Sequence, residues 1–481
     1  MVGATRFDTL FRPLHARSRM TSRSSLDAVS PLDGRYTRYT EPLVPYASER
    51  ALMRARVQVE GEYLLALADL DATPLEIDAD QRAHLRSLYE DFSVEDAEIV
   101  KRLETEGWKD YAATNHDVKA VEYFVREGLP ESLDAGNWIH FGLTSEDVNN
   151  LAHRLLVKPA VEEVLVPALR ERRDDLAEMA RQYRDVPMLA RTHGQPATPT
   201  TFGKEMAVYA ARLGRALGRI ERAADSLEGK LAGASGTYAA HHAAYPDVDW
   251  QAFSAAFVEG LGLDHAGLTT QVNPCDDLAE LFDALRGANN VLLDLDLDAW
   301  LYVSDRYLGQ ETVEGETGSS TMPHKVNPID FENSEGNLSK ANSDLTFLAD
   351  YVTKSRLQRD LSDSTVKRNI GAALAHCCIG YEKCGNGLAK VVPNEQVMRE
   401  ELEATPEIVG EAVQTVLRRE GHDDAYEQVK KATRGRTVTM ADFRDLFDDL
   451  DVSESVREEL HALTPAGYTG IADDLVDDLD G

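Results

Sequence analysis

The residues best suited to moving a proton or binding an anion are concentrated between Gly318 and Pro328, in the sequence Gly-Ser-Ser-Thr-Met-Pro-His-Lys-Val-Asn-Pro. Two hydroxyl side chains follow the glycine, and an adjacent histidine and lysine lie between two prolines. Glycine allows unusual dihedral angles and each proline removes a backbone donor, so we predict a loop. An ordinary surface loop would also be polar, but long helical patterns on both sides favour a functional loop held between rigid elements.

A second stretch of the same character runs from Arg191 to Pro199, with the sequence Arg-Thr-His-Gly-Gln-Pro-Ala-Thr-Pro. We predict a loop here as well. His193, beside Gly194, can reach into a cleft, and histidine is the side chain that most readily exchanges protons near neutral pH. A histidine that is merely exposed is the alternative interpretation.

Two predicted helix N-termini also bring polar side chains to free backbone N–H groups, where anions are favoured. Thr114 or Asn115 is predicted to cap a helix whose apolar residues recur at helical spacing, which places His116 in the first turn. Thr144 and Ser145 begin a Thr-Ser-Glu-Asp sequence of capping-box form. Capping alone would explain these residues, and anion binding is the functional alternative.

The elements that must position these groups are long helices. Apolar residues alternate at spacings of three and four over 206–227, 278–302 and 338–352, as in helices packed at shallow angles. A helix over 276–303 would be about 40 Å long. A second, largely apolar stripe predicts that this helix is buried on more than one face, inside a bundle, and that chains associate. The stripe comprises Phe282, Asn289, Leu293 and Leu297.

Further polar residues lie at the ends of the same helices. Gln271 precedes the second apolar series, and the segment 358–368 follows the third and contains Arg359 and Arg368 near hydroxyl side chains. Such cations suit a phosphate or carboxylates. Arg35 follows an Asp-Gly turn and could face an anion as well. Solvated charges at helix ends are the alternative interpretation.

The charge of the chain excludes some classes of partner. Its 481 residues contain 51 basic and 84 acidic side chains, which gives a net charge of −33. Nucleic acids and anionic membranes both require a basic face, so we expect neither as a partner. No apolar run approaches the roughly 18 residues that a membrane span requires. Acidic residues spread along the whole chain favour adaptation to high salt, with an ordinary acidic protein as the alternative.

The N-terminal segment and the cysteines indicate a cytosolic protein. The segment before Arg23 contains several arginines but no apolar region of the kind that a secretory signal needs. We interpret residues 1–23 as a flexible extension, with Met20 as an alternative start. The cysteines lack CxxC spacing, which predicts reduced, buried thiols. They are Cys275, Cys377, Cys378 and Cys384.

Taken together, these stretches resemble a known group of enzymes. The sequence from Gly318 to Pro328 is similar to the signature loop of the fumarase/aspartase superfamily. Its continuation through Asn333, together with 114–124 and 191–199, resembles the adenylosuccinate lyase family within that superfamily. The histidine between the proline and the lysine of the loop fits this family better than fumarase or argininosuccinate lyase.

The resemblance extends from about residue 24 to residue 470 and implies a fold. We expect an all-α subunit of three domains with a long central helical bundle, as in the fumarase/aspartase fold. The domains are expected at 24–136, 137–388 and 389–481, after the extension at 1–23. The resemblance also implies a cytoplasmic homotetramer in which each active site gathers loops from three subunits.

The implied reaction is a β-elimination that needs no metal or organic cofactor. Fumarate leaves adenylosuccinate to give AMP, and it leaves SAICAR to give AICAR. The resemblance implies Ser319 as the base that removes a proton next to a carboxylate, and His193 as the acid that protonates the leaving nitrogen. Lys325 and loop N–H groups would stabilise the serine alkoxide, and His116 would position or polarise the substrate.

The resemblance also implies a set of substrate-binding positions. These are Arg35, Tyr36, Asn115, His116, Asp117, Thr144, Ser145, Gln271, Ser320, Lys325, Asn327, Arg359, Ser364 and Arg368. Another fumarate-releasing lyase, such as argininosuccinate lyase, is the first alternative function. An inactive helical scaffold is the second, and the joint presence of Ser319, His193 and Lys325 disfavours it.

Overall fold

The computed structural model describes residues 24–311, 322, 326–433 and 438–480. The expected extension at 1–23 lies outside the described residues, as do Ser319, Ser320 and Lys325 of the signature loop. Within the described ranges the chain is mainly helical, which confirms the predicted fold class.

The helices fall into three successive groups along the chain. The first group is α1 (Thr37–Thr40), α2 (Val44–Ala47), α3 (Glu49–Ala68), α4 (Ala79–Glu90), α5 (Val94–Thr105) and α6 (Asp117–Glu127). The second is α7 (Ser145–Pro159), α8 (Val166–Gln182), α9 (Phe202–Asp225), α10 (Ala239–Ala244), α11 (Trp250–Gly260), α12 (Asp276–Ser304), α13 (Ile329–Val352), α14 (Ser362–Lys367) and α15 (Ile370–Leu388). The third is α16 (Glu395–Glu403), α17 (Gly410–Arg419), α18 (Ala425–Thr433), α19 (Met440–Asp449) and α20 (Glu454–Ala462).

Shorter elements connect these helices. A π-helix, Ala160–Leu165, joins α7 to α8. Short 3₁₀ helices lie at Ser25–Asp27, Glu41–Leu43, Gly136–Trp138, Pro406–Val409, Pro465–Gly467 and Asp474–Asp480. Two-stranded sheets pair β1 (Pro187–Thr192) with β2 (Gln195–Thr201), β3 (Glu228–Gly229) with β4 (Asp264–His265), and β5 (Leu308–Gln310) with β6 (Val391–Pro393).

The long helices α8, α9, α12, α13 and α15 pack side by side. Helix α12 lies between α9 and α13, α13 packs on α15, and α8 contacts both α9 and α15. The helix predicted over 276–303 is α12, whose 29 residues give a length of about 43 Å. Leu285, Leu292 and Leu345, from the predicted apolar series, are fully buried. The apolar spacing therefore predicted both the helices and the faces that they bury.

The C-terminal helices have a core of their own. Val413, Phe443 and Leu460 belong to an apolar cluster that is separate from the main core. Residues of α3 and α6 share the main core with the long helices. The expected domain boundaries stay a prediction.

The stretch predicted as a loop over 191–199 is instead part of a β-hairpin. Strands β1 and β2 pair antiparallel with Thr192 opposite Gln195, and His193 and Gly194 form a two-residue turn with φ of 55° and 70°. Positive φ at both turn residues matches the twist of the flanking strands. The prolines that favoured a loop are tolerated because a two-stranded sheet has only edge strands.

The four cysteines are buried and unpaired, as predicted. None of the described helices combines the length and the apolar character needed to cross a membrane. Within the described ranges, no three His, Cys, Asp or Glu side chains are grouped so that they could hold a metal ion.

A buried carboxyl group lies inside the bundle on α12. Asp296 is 1% exposed, and neither oxygen makes a hydrogen bond of good geometry with another described residue. Burial raises the pKa of this carboxyl to about 8, although Ser334 and Cys384 beside it oppose the shift. The group is therefore protonated and neutral in the folded chain below about pH 8.

Asp296→Asn is expected to make the stability of the fold less dependent on pH. In the unfolded chain the carboxyl ionises near pH 4, so the wild-type fold loses stability as pH rises from about 4 to about 8. Thermal melting should show a small difference between wild type and variant at about pH 5, and a larger one at about pH 8.5, with the higher melting temperature for the variant. A less stable variant at the higher pH would show that the fold accommodates the ionised carboxylate.

Candidate active site

Thr144 caps α7, as the sequence predicts. It forms a capping box with Asp147, whose carboxylate accepts a hydrogen bond of 2.8 Å from the Thr144 N–H. Asp147 is fully buried and pairs at 2.7 Å with Lys230, and it also accepts a hydrogen bond from the N–H of Ala232. Ser145 occupies the first position of the helix. A buried ion pair thus fixes the start of α7.

Glu146 ties α7 to the segment that contains the predicted arginines. Its carboxylate lies 3.0 Å from Lys367 Nζ and 3.3 Å from Arg359 Nη2. Lys367 also pairs with Asp363 at 2.9 Å. Burial opposes the shift, but the charges around Lys367 raise the pKa of its ammonium group. Ser364 lies on the same short helix, α14, so Thr144, Arg359 and Ser364 share one region.

Asp117 joins this region through two arginines. Its carboxylate accepts hydrogen bonds from Arg56 at 2.8 Å and from Arg368 at 2.9 Å. Arg368 also donates to Glu49 at 2.6 Å, and Arg56 Nε donates to Asn149 on α7 at 2.9 Å. Although burial opposes the shift, Arg56 holds the pKa of Asp117 below its usual value. The structure therefore brings Asp117 and Arg368 together beside α7.

The prediction that Thr114 or Asn115 caps α6 is wrong, because His116 itself takes that position. The Nδ1 atom of His116 accepts a hydrogen bond of 3.2 Å from the N–H of Lys119. Thr114 donates its hydroxyl to the His116 carbonyl at 2.9 Å, and Asn115 adopts a left-handed φ of 51°. The His116 side chain is 52% exposed, which leaves it accessible to a ligand.

His140 is a titratable residue near Thr144 that the sequence reasoning missed. Its Nδ1 lies 2.6 Å from one carboxylate oxygen of buried Glu60, and its backbone N–H donates to the other at 3.1 Å. Burial alone would lower the pKa of His140, but the hydrogen bond and the charge of Glu60 raise it. A histidine just before the Phe-Gly sequence that leads into the capping box was the available signal.

Gln271 lies at the edge of this region, whereas Arg35 and Tyr36 lie at the start of α1. The side chain of Gln271 donates to a backbone carbonyl at 2.9 Å, and the neighbouring Thr270 hydroxyl donates to the Gln358 carbonyl at 3.2 Å. Arg35 is exposed in the turn before α1, and Tyr36 is the N-cap of α1. Neither makes a hydrogen bond or ion pair with another predicted residue that the structure describes.

His193 lies in a different region. It is exposed at the tip of the β1–β2 hairpin, and Arg191 of that hairpin pairs at 3.3 Å with Asp305, just beyond the end of α12. Gln310, in the strand that follows α12, donates to the Val326 carbonyl at 3.0 Å. The hairpin and the residues that flank the signature loop are thus anchored at the same end of α12.

The two regions lie at opposite ends of α12. Asp277 at the start of this helix pairs at 2.7 Å with Arg154 of α7, whereas Asp305 after its end pairs with the hairpin. The helix is about 43 Å long, so no side chain can bridge the distance between the start of α7 and the hairpin tip. Asn327 lies at the hairpin end, next to the anchored Val326. A single chain therefore holds the described candidate residues in two separate halves.

Comparison with solved structures and family matching define the class of protein. The 3-carboxy-cis,cis-muconate lactonizing enzyme from Pseudomonas putida has a TM-score of 0.72 at 20% sequence identity, over 92% of this chain and 97% of that one. Fumarate lyase from Mesorhizobium sp. BNC1 has a TM-score of 0.70 at 21% identity, over 91% and 97%. Residues 34–342 match the Lyase family. Fold and match together define a lyase of the fumarase/aspartase superfamily.

Closer relatives narrow this class. Adenylosuccinate lyase from Escherichia coli (strain K12) is 45% identical over 462 residues, which cover 95% of this chain and 99% of the relative. The enzymes of the same name from Haemophilus influenzae and Dictyostelium discoideum are each 43% identical, over 95% and 94% of this chain and 99% and 98% of their own. Residues 355–469 match the family described as adenylosuccinate lyase C-terminal. The chain belongs to the adenylosuccinate lyase family.

Proposed function

We propose that this chain catalyses the β-elimination of fumarate from adenylosuccinate, giving AMP, and from SAICAR, giving AICAR, in purine nucleotide biosynthesis. The observation that carries the proposal is 45% identity to the Escherichia coli adenylosuccinate lyase over nearly the full length of both chains. Both substrates combine a dicarboxylate with a phosphate. The site must therefore supply cations and N–H donors as well as an acid and a base.

Two buried arginine nitrogen atoms support an anionic substrate. Arg359 Nε and Arg56 Nη1 are buried and make no hydrogen bond within the described part of the chain. A buried donor without a partner is costly, and native structures rarely leave one. Phosphate or carboxylate oxygens would satisfy such donors. We assign the phosphate to the region of Arg359, Ser364 and Arg368.

Proton transfer is assigned to Ser319 as base and His193 as acid. A proton next to a carboxylate is weakly acidic, and a serine hydroxyl is a poor base near neutral pH, so the alkoxide must be stabilised. Lys325 and loop N–H groups would supply that stabilisation, and His116 would position the substrate. The succinyl carboxylates would be held by Thr144, Ser145, Ser320, Lys325 and Asn327.

A homotetramer with shared sites would bring the two halves of the site together. On α12, Leu297, Trp300 and Leu301 are 51%, 45% and 52% exposed, and Phe347 on α13 is 51% exposed. Large apolar side chains exposed along α12 and α13 in this way favour burial by a partner, and we infer that further copies of the chain cover them. One copy could then place its hairpin beside the start of α7 of another. We place this assembly in the cytoplasm.

Incubation with adenylosuccinate, SAICAR and argininosuccinate separates the candidate functions. We expect the nucleotide absorbance to change with both purine substrates and fumarate to appear in equal amount. Turnover of argininosuccinate alone would favour that alternative lyase. No turnover of any of the three would favour the inactive scaffold.

The KM for adenylosuccinate is expected to fall severalfold as the salt concentration rises from about 0.01 M to about 1 M. The net charge of −33 repels an anionic substrate, and over this range the Debye length shrinks from about 30 Å to about 3 Å. Steady-state kinetics in KCl check this, with kcat followed separately at each concentration. A flat or rising KM would show that local cations outweigh the overall field. Lower thermal stability in molar salt would contradict the proposed salt adaptation.

A further inference from the structure

The turn that leads into α7 has an unusual backbone conformation. His140 has a φ of 59° and Gly142 a φ of 70°. The left-handed region is unfavourable for a histidine, so such a residue persists only where its surroundings hold it. The turn ends at Thr144 and Ser145, which cap and begin α7. Any movement of the turn therefore moves both of these residues.

Two linked hydrogen bonds hold this turn against the buried core of the protein. The hydroxyl of Tyr63, on α3, lies 2.8 Å from the Phe141 carbonyl and 2.9 Å from His241 Nε2, on α10. Tyr63 and His241 are both fully buried. These residues come from distant parts of the chain, yet they meet directly beneath the turn.

Donor counting fixes the direction of both hydrogen bonds. A carbonyl only accepts, so the single hydroxyl proton of Tyr63 is donated to Phe141, and His241 Nε2 must donate to the Tyr63 oxygen. Burial lowers the pKa of His241, which favours the neutral ring, and the hydrogen bond to Tyr63 places the proton of that ring on Nε2. Its Nδ1 is then a bare acceptor, and it makes no hydrogen bond with another described residue. Within the described part of the chain, the bond to Tyr63 is thus the only hydrogen bond that the His241 ring makes.

Packing holds the same turn against the His241 ring. A Cβ atom on Gly142 would lie 2.7 Å from His241 Nε2, so the ring touches the backbone and only glycine fits there. From the other side, the Asp147 carboxylate accepts from the N–H groups of Thr144 and Gly233, at 2.8 Å and 3.2 Å. Contact with the buried His241 ring and hydrogen bonds to the buried Asp147 carboxylate therefore both hold the turn in place.

We propose that Tyr63 and His241 are positioning residues that hold the 140–145 turn in the conformation that binds substrate. The inference rests on the proposed function, in which Thr144 and Ser145 bind a succinyl carboxylate. Neither Tyr63 nor His241 touches the substrate. They act through the Phe141 carbonyl and through contact with Gly142.

Tyr63→Phe tests the proposal, because it removes one hydroxyl and leaves both hydrogen-bonding partners buried and unpaired. We expect the KM for adenylosuccinate to rise about tenfold while kcat changes much less, as for a lost ground-state binding contact. Tyr381→Phe is the matched control. The Tyr381 hydroxyl is equally buried and donates to Asn289 at 2.6 Å, between α15 and α12. The Tyr381→Phe substitution should lower the melting temperature about as much as Tyr63→Phe does, and it should leave the KM for adenylosuccinate unchanged.

A pair of substitutions at His241 provides the second measurement. His241→Gln keeps an N–H donor for Tyr63 and should retain a near-normal KM, whereas His241→Phe removes the donor and should raise KM in the same direction as Tyr63→Phe. If Tyr63→Phe does not fold, the difference in KM between the two His241 variants tests the positioning role instead. Equal KM values for Tyr63→Phe and Tyr381→Phe, or for the two His241 variants, would overturn the positioning role. A wild-type protein that does not turn over adenylosuccinate would overturn the proposed function itself, and the positioning role with it.

Discussion

Ser319→Ala is expected to lower kcat by about 10²- to 10⁴-fold, which is the usual contribution of a positioned acid or base. The reaction cannot begin until the proton next to the carboxylate is removed, and the variant has no group at this position to accept it. Binding depends on other residues, so the affinity for adenylosuccinate should change little. Single-turnover kinetics measure the chemical step, and calorimetry on the same preparation measures the affinity.

Ser320→Ala is the matched control for this prediction. It removes the equivalent hydroxyl from the adjacent residue, which is proposed to bind a carboxylate of the substrate and not to accept the proton. Its main effect should therefore be a higher KM. Equal losses of kcat in the two variants would show that the loop as a whole was disturbed, and an unchanged kcat in Ser319→Ala would remove the residue from the mechanism.

Mixing two inactive variants, His193→Gln and His116→Asn, is expected to restore activity. His193 lies at the hairpin end of α12, whereas His116 caps α6 beside Asp117 at the other end, so one chain cannot supply both to one site. Asparagine at position 116 keeps a good helix cap, which limits any loss of stability. If each site draws the two residues from different chains, a randomly mixed assembly should regain about a quarter of wild-type activity. The rate after joint unfolding and refolding of the two variants measures this.

A second mixture distinguishes shared sites from a general effect of refolding. His116→Asn and Arg368→Gln alter residues of one region, since Arg368 and Asp117 are linked at 2.9 Å within a single chain. Two variants that are altered in the same half of the site cannot complement each other, because no chain in the mixture carries an intact copy of that half. This mixture should therefore stay inactive. Recovery of activity in this second mixture, or no recovery of activity in the first mixture, would contradict the division of the site between the ends of α12.

The long helices could be predicted because one periodic signal specifies both a helix and its buried face. The spacing of apolar residues predicted 276–303, and α12 spans Asp276–Ser304. The β1–β2 hairpin was missed because Gly194 and two nearby prolines are equally typical of a loop. Their role in a twisted, two-stranded hairpin depends on the pairing of β1 with β2, which the local sequence does not reveal.

The side-chain partners within the candidate site could not be predicted, because they come from distant parts of the chain. Lys367 pairs with Glu146 across 221 positions, and His140 with Glu60 across 80. Spacing patterns report on neighbours within a few residues and cannot show such pairs. Polar residue types and the family motifs identified Thr144, Asp117 and Arg368. The partners from distant parts of the chain that hold them, such as Arg56 beside Asp117, became visible only in the folded chain.

If copies of the chain share their sites as proposed, the separation of the candidate residues by the length of α12 makes catalysis depend on protein concentration. Under the proposed arrangement, a chain released from its assembly keeps its helices and its cores, yet it has no place where base, acid and phosphate contacts coincide. Dilution would then inactivate the protein reversibly and without unfolding. A substitution that weakens the apolar contacts around Trp300 would have the same effect as the loss of a histidine from the site, although Trp300 is not itself one of the proposed site residues.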